Sequence, residues 1–262
     1  MGKALKQFPR SLYYMASKVG RYDLNPETMF DFSAEKTALG VDNTLQQLGM
    51  DYVDVIQVHD FSFAPSTSII LNETLPTLQK VVDGGKARFI GLADYDLDLI
   101  KEIVEESEVK ISVILSYAKS TLFDNRLQKY TQFFKSRGVG VINASATGMG
   151  LLTNKGPPDW HPANNDMREL SLAATTLCRK YNVELARLAT HYSLCQPNID
   201  THVLGVTNVH QLFDTLKIMY HGLTDTEQFV FRQIVERYFS FGTMHWDHAN
   251  LSDQKKKKIL QD

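Results

Sequence analysis

Two residues end apolar runs in a way that a buried strand does not require. Lys18 closes "YYMASK", and His59 closes "YVDVIQVH" with Asp60 directly after it. A lysine drawn out of water can shift the proton affinity of a neighbouring phenol, and a histidine can hydrogen-bond a substrate oxygen while its own charge changes. Carbonyl and alcohol chemistry fits that pair. Each residue also has an ordinary reading, a lysine reaching for water or a histidine satisfied by the structure around it. Matching positions at the ends of successive strands favour the functional reading.

The elements that position them follow from periodicity. Runs rich in Val and Ile are "LYYMASKV" from Leu12, "YVDVIQV" from Tyr52, "ARFIGLA" from Ala87, "ISVILSY" from Ile111, "VGVINAS" from Val139 and "HVLGV" from His202. They alternate with segments of helical period, the pattern of parallel βα units in an α/β fold. Ser33 is the expected N-cap of a helix striped by Ala38, Val41, Leu45 and Leu48 and stopped by Gly49. Asn72 is the expected cap of "ETLPTLQKVV", with Pro76 near its first turn. Further helices open at Asp96 and near Asn125, and two more cover roughly 166–181 and 184–195. The irregular stretch 153–166 is long for a compact domain, which points to function. No glycine-rich phosphate loop follows the first strand, so a doubly wound dinucleotide fold lacks its fingerprint and a (β/α)8 barrel is favoured.

Composition narrows the partner. The chain has 262 residues, 43% of them hydrophobic, and a formal net charge of -2, which gives no global attraction to nucleic acid or to a membrane surface. A small molecule is the expected partner. No apolar run approaches the ~20 residues that span a bilayer, and Lys6 stands where a myristoylation signal needs Ser or Thr. Cys178 and Cys195 cannot build a disulfide framework, which fits a reducing, cytoplasmic setting, and both read as core residues in helical stripes. "HWDH" at 245–248 invites a metal reading, yet two histidines and Asp247 near a polar end rarely close a site, so no metal is expected.

Over most of its length the chain resembles the aldo-keto reductases, and among them the sugar dehydrogenases. The resemblance runs from "GKAL" at Gly2 through "ASKVGRY", "DFSAEKT", "LGMDYVDVIQVHD", "NETLPTLQKVVDGGKARFIGL", "VILSY" and "KSRGVGVINASATGMGLLTNKGPPDWHPA" to "VLGVTNVHQL" at Leu212. It implies a TIM (β/α)8 barrel that binds NAD or NADP at its mouth, with hydride transfer between that cofactor and a carbonyl or sugar substrate. Lys18 and His59 match the family's catalytic lysine and histidine, and Asp60 is expected to support them or the structure. Ala93 and Asp94 stand where the family has a Ser-Asn pair holding the carboxamide. Ser116 and Tyr117 fall near the nicotinamide ring, and Ser145, Gly148, Gly150 and Leu151 belong to the loop over the pyrophosphate. Gly205, Thr207, Asn208 and Gln211 match the adenosine end, where a helix N-terminus favours an anion in any case. The absence of Arg or Lys between Gly205 and Lys217 favours NAD, and Asp214 and Thr215 replace a family glutamate and asparagine. Trp160 and His161 are set in the sugar pocket, or in a loop anchored by the indole.

The family has eight strands and four catalytic members, an Asp and a Tyr after the second strand and then the Lys and the His. Six strands are read here. The expectation is therefore an N-terminally truncated barrel lacking its first two strands, with the acid Tyr and its Asp partner before Met1; Tyr13, Tyr14 and Tyr22 occupy other matched positions. Loss of that phenol implies a fall of ~10² to 10⁴ in rate. Residues 1–225 are assigned to the incomplete barrel and 226–262 to a C-terminal helix and polar tail, a monomer if folded. The alternative is a catalytically silent chain that only binds a dinucleotide or a partner.

Overall fold

The computed structural model describes residues 1–25, 28–239 and 244–246. A short helix α1 (Gly2–Leu5) and a 3-10 turn (Arg10–Leu12) precede β1 (Ala16–Val19), α2 (Ala34–Leu48) and β2 (Val53–His59). There follow α3 (Thr67–Ile69), α4 (Leu75–Asp83), β3 (Ala87–Asp94), α5 (Leu97–Glu106), β4 (Val113–Tyr117), α6 (Gln128–Ser136) and β5 (Gly140–Ala144). The chain continues through α7 (Asn165–Lys180), α8 (Leu185–Leu194), β6 (Thr201–Val203), α9 (Val209–His221) and α10 (Asp225–Tyr238).

The six strands form one sheet in sequence order, and the pairs β1–β2, β2–β3 and β5–β6 run parallel. Sequential order means that the winding never reverses, the arrangement of a barrel sheet and not of a doubly wound one. The six strands thus fit a TIM-type barrel with some strands missing.

Local sequence explains most boundaries. Ser33 accepts from the Lys36 amide and Gly49 ends α2 in the left-handed region at φ 64. Asp96 caps α5 through the amides of Asp98 and Leu99. Several boundaries differ from expectation: β4 starts at Val113 and not Ile111, α6 starts at Gln128, and β6 covers only Thr201–Val203. Two differences have a clear local cause. The first strand begins at Ala16 and not at Leu12, because buried Asp54 accepts the Met15 amide (2.7 Å) and pairs with Arg10, which holds the preceding residues in a turn. Asn72 is not a cap. The helical path starts at Thr67, widens to one π-helical turn over Ile70–Thr74 and continues as α4, with Asn72 Nδ2 donating to Ser68 Oγ inside it. Pro76 lacks an N–H and its ring crowds the preceding turn, and a widened turn relieves both.

Two compact units can be distinguished, one of Met1–Leu115 with Phe134–Val141, the other of Ser116–Phe133 with the described residues from Ile142 onward. In the first, Val53, Ile56 and Val58 of β2, Leu75 and Leu78 of α4, and Ile90 and Leu92 of β3 are buried, and α4 packs on β3 and α2. In the second, α7 packs on α10 and α8 on α9, around Met167, Leu185, Leu188, Val230 and Ile234.

Candidate active site

In the first unit the register of β1 and β2 sets Lys18 beside Gln57 and Val19 beside Val58. Side chains alternate along a strand, so Lys18, Gln57 and His59 share one face of the sheet. The opposite face carries Ile56 and Val58, both fully buried. The lysine and histidine are thus brought together at the C-terminal ends of adjacent parallel strands, as the sequence predicts.

Their common partner is Asp60. It sits in the left-handed region at φ 54, its amide donates to the Ala93 carbonyl (2.9 Å), and its carboxylate is buried. His59 Nε2 lies 3.4 Å from Asp60 Oδ1, and Arg21 Nη1 lies 3.6 Å from Oδ2. The same carboxylate acts on Lys18. Loss of solvation lowers the Lys18 pKa, and the Asp60 charge partly restores it. Where the sequence assigned Asp60 a supporting role, the structure makes it the hub of three basic groups. Sequence reasoning missed Arg21 altogether, although its spacing of three residues from Lys18 was available.

Asp94 is buried and frames two loops. Its Oδ2 accepts from the Ser62 amide (2.8 Å), and its Oδ1 from the amides of Tyr95 (2.7 Å) and Asp96 (3.1 Å). These bonds tie the turn after β2 to the turn after β3. The carboxylate is thereby engaged as a loop anchor, whereas the resemblance had set it against a carboxamide.

The second unit holds most of the residues matched to the cofactor. The loop after β5 has Ser145, Gly148, Met149 and Gly150 at positive φ, and Ser145 Oγ accepts from the Met149 amide (3.0 Å). His161 pins this loop. Its Nε2 donates to the Gly148 carbonyl (2.8 Å) and its Nδ1 accepts from the Ala163 amide (3.0 Å), the pattern of a neutral imidazole. Burial lowers its pKa; the hydrogen bond to Gly148 opposes this, and the Arg168 guanidinium adds to it. Its ring is buried against Trp246 at 4.8 Å and stacks near Trp160. Both ring nitrogens of His161 are thus engaged by the loop backbone, while Trp160 beside it is half-buried.

Ser116 is fully buried with no hydrogen-bond partner on Oγ, and Tyr117 after it is half-buried. Asn143 on β5 donates to Ser193 Oγ (2.7 Å), leaves Oδ1 without a partner, and was not foreseen from sequence. Leu151 is buried. Gly205, Thr207, Asn208 and Gln211 gather at the start of α9, all exposed: Asn208 caps the helix through the Gln211 amide (3.0 Å), and Gln211 Oε1 accepts from the Thr207 amide (2.8 Å).

Two further expectations concern sulfur and metal. Cys178 is in the core, its thiol pushed up to about 12 by burial, but Cys195 is exposed just past α8 with Sγ 3.7 Å from His191 Nε2. It follows the last turn of its helix, so the helical stripe no longer buries it. Of "HWDH", Asp247 and His248 lie outside the described residues; among the described residues no three His, Cys, Asp or Glu side chains could hold a metal ion. Among them, too, no helix is long and apolar enough to cross a membrane.

A sheet wound in sequence order, with lysine and histidine at adjacent strand ends, defines a barrel-type α/β fold with a candidate site at the strand ends, and the comparisons give its family. The model of the Aldo/keto reductase family matches residues 1–236, and the chain belongs to that family. It is 40% identical over 215 residues to L-galactose dehydrogenase of Arabidopsis thaliana, covering 81% of this chain and 66% of that protein. It is 29% identical over 224 residues to D-arabinose 1-dehydrogenase of Saccharomyces cerevisiae, covering 80% and 65%. The chain thus spans about two thirds of the length of these relatives. Among solved structures, the holo form of an aldo-keto reductase from Bacillus halodurans superposes with a TM-score of 0.69 at 22% identity, covering 94% of this chain and 79% of that one, which supports the fold.

Proposed function

We propose that the protein is an NAD(P)-dependent dehydrogenase that oxidises the anomeric carbon of an aldose such as L-galactose to the lactone, or runs the reverse carbonyl reduction. The observation that carries this reading is the placement of Lys18 and His59 on one face at the ends of adjacent strands, with His59 and Arg21 beside the buried carboxylate of Asp60. Two sugar dehydrogenases among the relatives support it.

His59 hydrogen-bonds the substrate oxygen. Asp60 beside Nε2 favours a proton on that nitrogen and stabilises the imidazolium when the ring gains charge. Lys18 supplies a fixed positive charge that lowers the proton affinity of an acidic group at the same oxygen. For the cofactor, the orphaned Ser116 Oγ offers a hydrogen bond to an amide, the positive-φ loop from Ser145 to Leu151 lets backbone approach a pyrophosphate, and the capped start of α9 favours an anion. The residues present therefore fit a nicotinamide dinucleotide, which when bound supplies the hydride acceptor. Without Arg or Lys between Gly205 and Lys217, NAD is the preferred form. A cytoplasmic setting accords with two free cysteines.

A second reading, a dinucleotide binder without turnover, rests on the tyrosines. Tyr13 lies under Arg10, and Tyr22 packs over Gly40 with its pKa raised by burial, so neither is a ready substitute for the family's acid phenol. Titration with NADH and NADPH, followed by nicotinamide fluorescence, measures binding; absorbance of the reduced cofactor with L-galactose measures turnover. Both together support the dehydrogenase, binding alone supports the second reading, and neither removes the cofactor from the account.

A further inference from the structure

Arg21 is placed by backbone and not by chance. Gly20 before it has φ 104, and a Cβ there would stand 2.5 Å from the Phe32 ring and 3.0 Å from the His59 carbonyl, so the chain leaves β1 pressed against the end of β2. Arg21 then pairs with Phe30 in an antiparallel bridge, with the Tyr22 amide donating to Met29 O (2.8 Å) and the Asp31 amide to Gly20 O (3.1 Å). The guanidinium comes to lie 5.9 Å over the Phe30 ring, and Phe30 stacks on Phe63 at 4.4 Å with 8° between planes.

An ordinary salt bridge does not account for this arrangement. The separation of 3.6 Å from Asp60 is longer than a direct hydrogen bond, and 31% of the Arg21 side chain is exposed, so Asp60 alone does not use up its five N–H donors. A fork of N–H groups beside a half-buried wall of phenylalanine matches one class of ligand well, a ring with hydroxyls at its rim and C–H groups on its face. A carboxylate ligand fits less well, since the buried charge of Asp60 faces the same guanidinium and would repel a second anion by an amount similar to the attraction.

Resting on the dehydrogenase reading above, we propose that Arg21 with the Phe30–Phe63 stack forms the substrate-selecting part of this site, holding two adjacent hydroxyls of a neutral aldopyranose. Arg21 acts as a specificity residue, and the reaction at the anomeric oxygen stays with His59 and Lys18.

Calorimetric or saturation-transfer NMR titration of the full chain with L-galactose and D-arabinose tests the proposal without requiring turnover. Arg21→Ala is expected to weaken aldose binding about tenfold to a hundredfold. Arg21→Lys, which keeps a charge beside Asp60 and so guards against a folding defect, should still lose about tenfold because an ammonium cannot fork. Phe63→Ala should lose several-fold. Aldose binding unchanged in both Arg21 variants overturns the proposal, as does tighter, Arg21-dependent binding of galacturonate. Aldose binding that needs Arg21 in a protein that never binds NADH or NADPH keeps this subsite and removes the dehydrogenase. Turnover of small carbonyls with no aldose binding does the reverse.

Discussion

The loops at the strand ends are framed differently in the two units. In the first, buried carboxylates do the framing: Asp60 collects Lys18, His59 and Arg21, and Asp94 accepts three backbone amides. In the second, the loop from Ser145 to Leu151 is fastened by His161, a neutral ring that donates to one backbone group and accepts from another. The second unit has buried acids too, but each is matched by an arginine: Asp124 by Arg126 through both oxygens, with Lys119 at 3.6 Å, and Glu227 by Arg187, so their charges are covered. The contrast follows the chemistry each unit is proposed to do. A site that must hold a protonatable imidazole and an ammonium gains from a fixed negative charge, whereas a loop meant to accept a pyrophosphate would be spoiled by one.

The largest effect that would sharpen this contrast is expected at Asp94. Asp94→Ala removes the acceptor of three amides in a buried place and should lower unfolding free energy by about 3 kcal/mol in a denaturant titration. Hydrogen exchange should quicken at Ser62, Tyr95 and Asp96 while the loop from Ser145 keeps its protection. Equal loss of protection in both loops would break the contrast.

Asp60→Asn should act on chemistry more than on stability. Asparagine tolerates the left-handed backbone at φ 54, so the fold survives, while the charge facing three basic groups is gone. Turnover with L-galactose is expected to fall on the order of a hundredfold, roughly 2.7 kcal/mol on the barrier, with little change in cofactor binding. A larger loss of cofactor binding than of turnover would put Asp60 in the wrong role.

How much of this was readable beforehand varies with the distance over which a residue acts. The six strands, the caps at Ser33 and Asp96 and the stop at Gly49 are local events, fixed by a few neighbouring residues, and each was visible as a pattern. Lys18 and His59 were visible because a charged residue at the end of an apolar run breaks that pattern. The hub at Asp60 was not, since it depends on a left-handed aspartate and on Arg21, 39 positions away in sequence. The fastening role of His161 was hidden too, because an imidazole after a tryptophan carries no sign of the backbone groups that engage it. The π turn before Pro76 was hidden for the same kind of reason, as proline marks a problem for a helix without saying how the chain solves it.

The smallest predicted effect depends on pH and separates the units most directly. Burial holds the folded-state pKa of His161 below its ordinary value of about 6.5, and Arg168, which donates to the His161 carbonyl, pushes in the same direction. The unfolded chain therefore binds a proton more readily than the folded one as pH falls below about 6.5, so stability is present above that pH and drains away on acidification. His191 and His202, also lowered by burial and also in the second unit, add to the same trend. Denaturant titrations at pH 7.5 and 5.5 should show a loss on acidification, and His161→Gln should shrink it while costing about 1 to 2 kcal/mol at pH 7.5 for the two hydrogen bonds disturbed. Exchange at Gly148 and Ala163 should quicken in that variant at both pH values. If the variant loses as much stability on acidification as the wild type, the neutral imidazole is not the acid-sensitive element and the contrast between the two frames rests on the carboxylates alone.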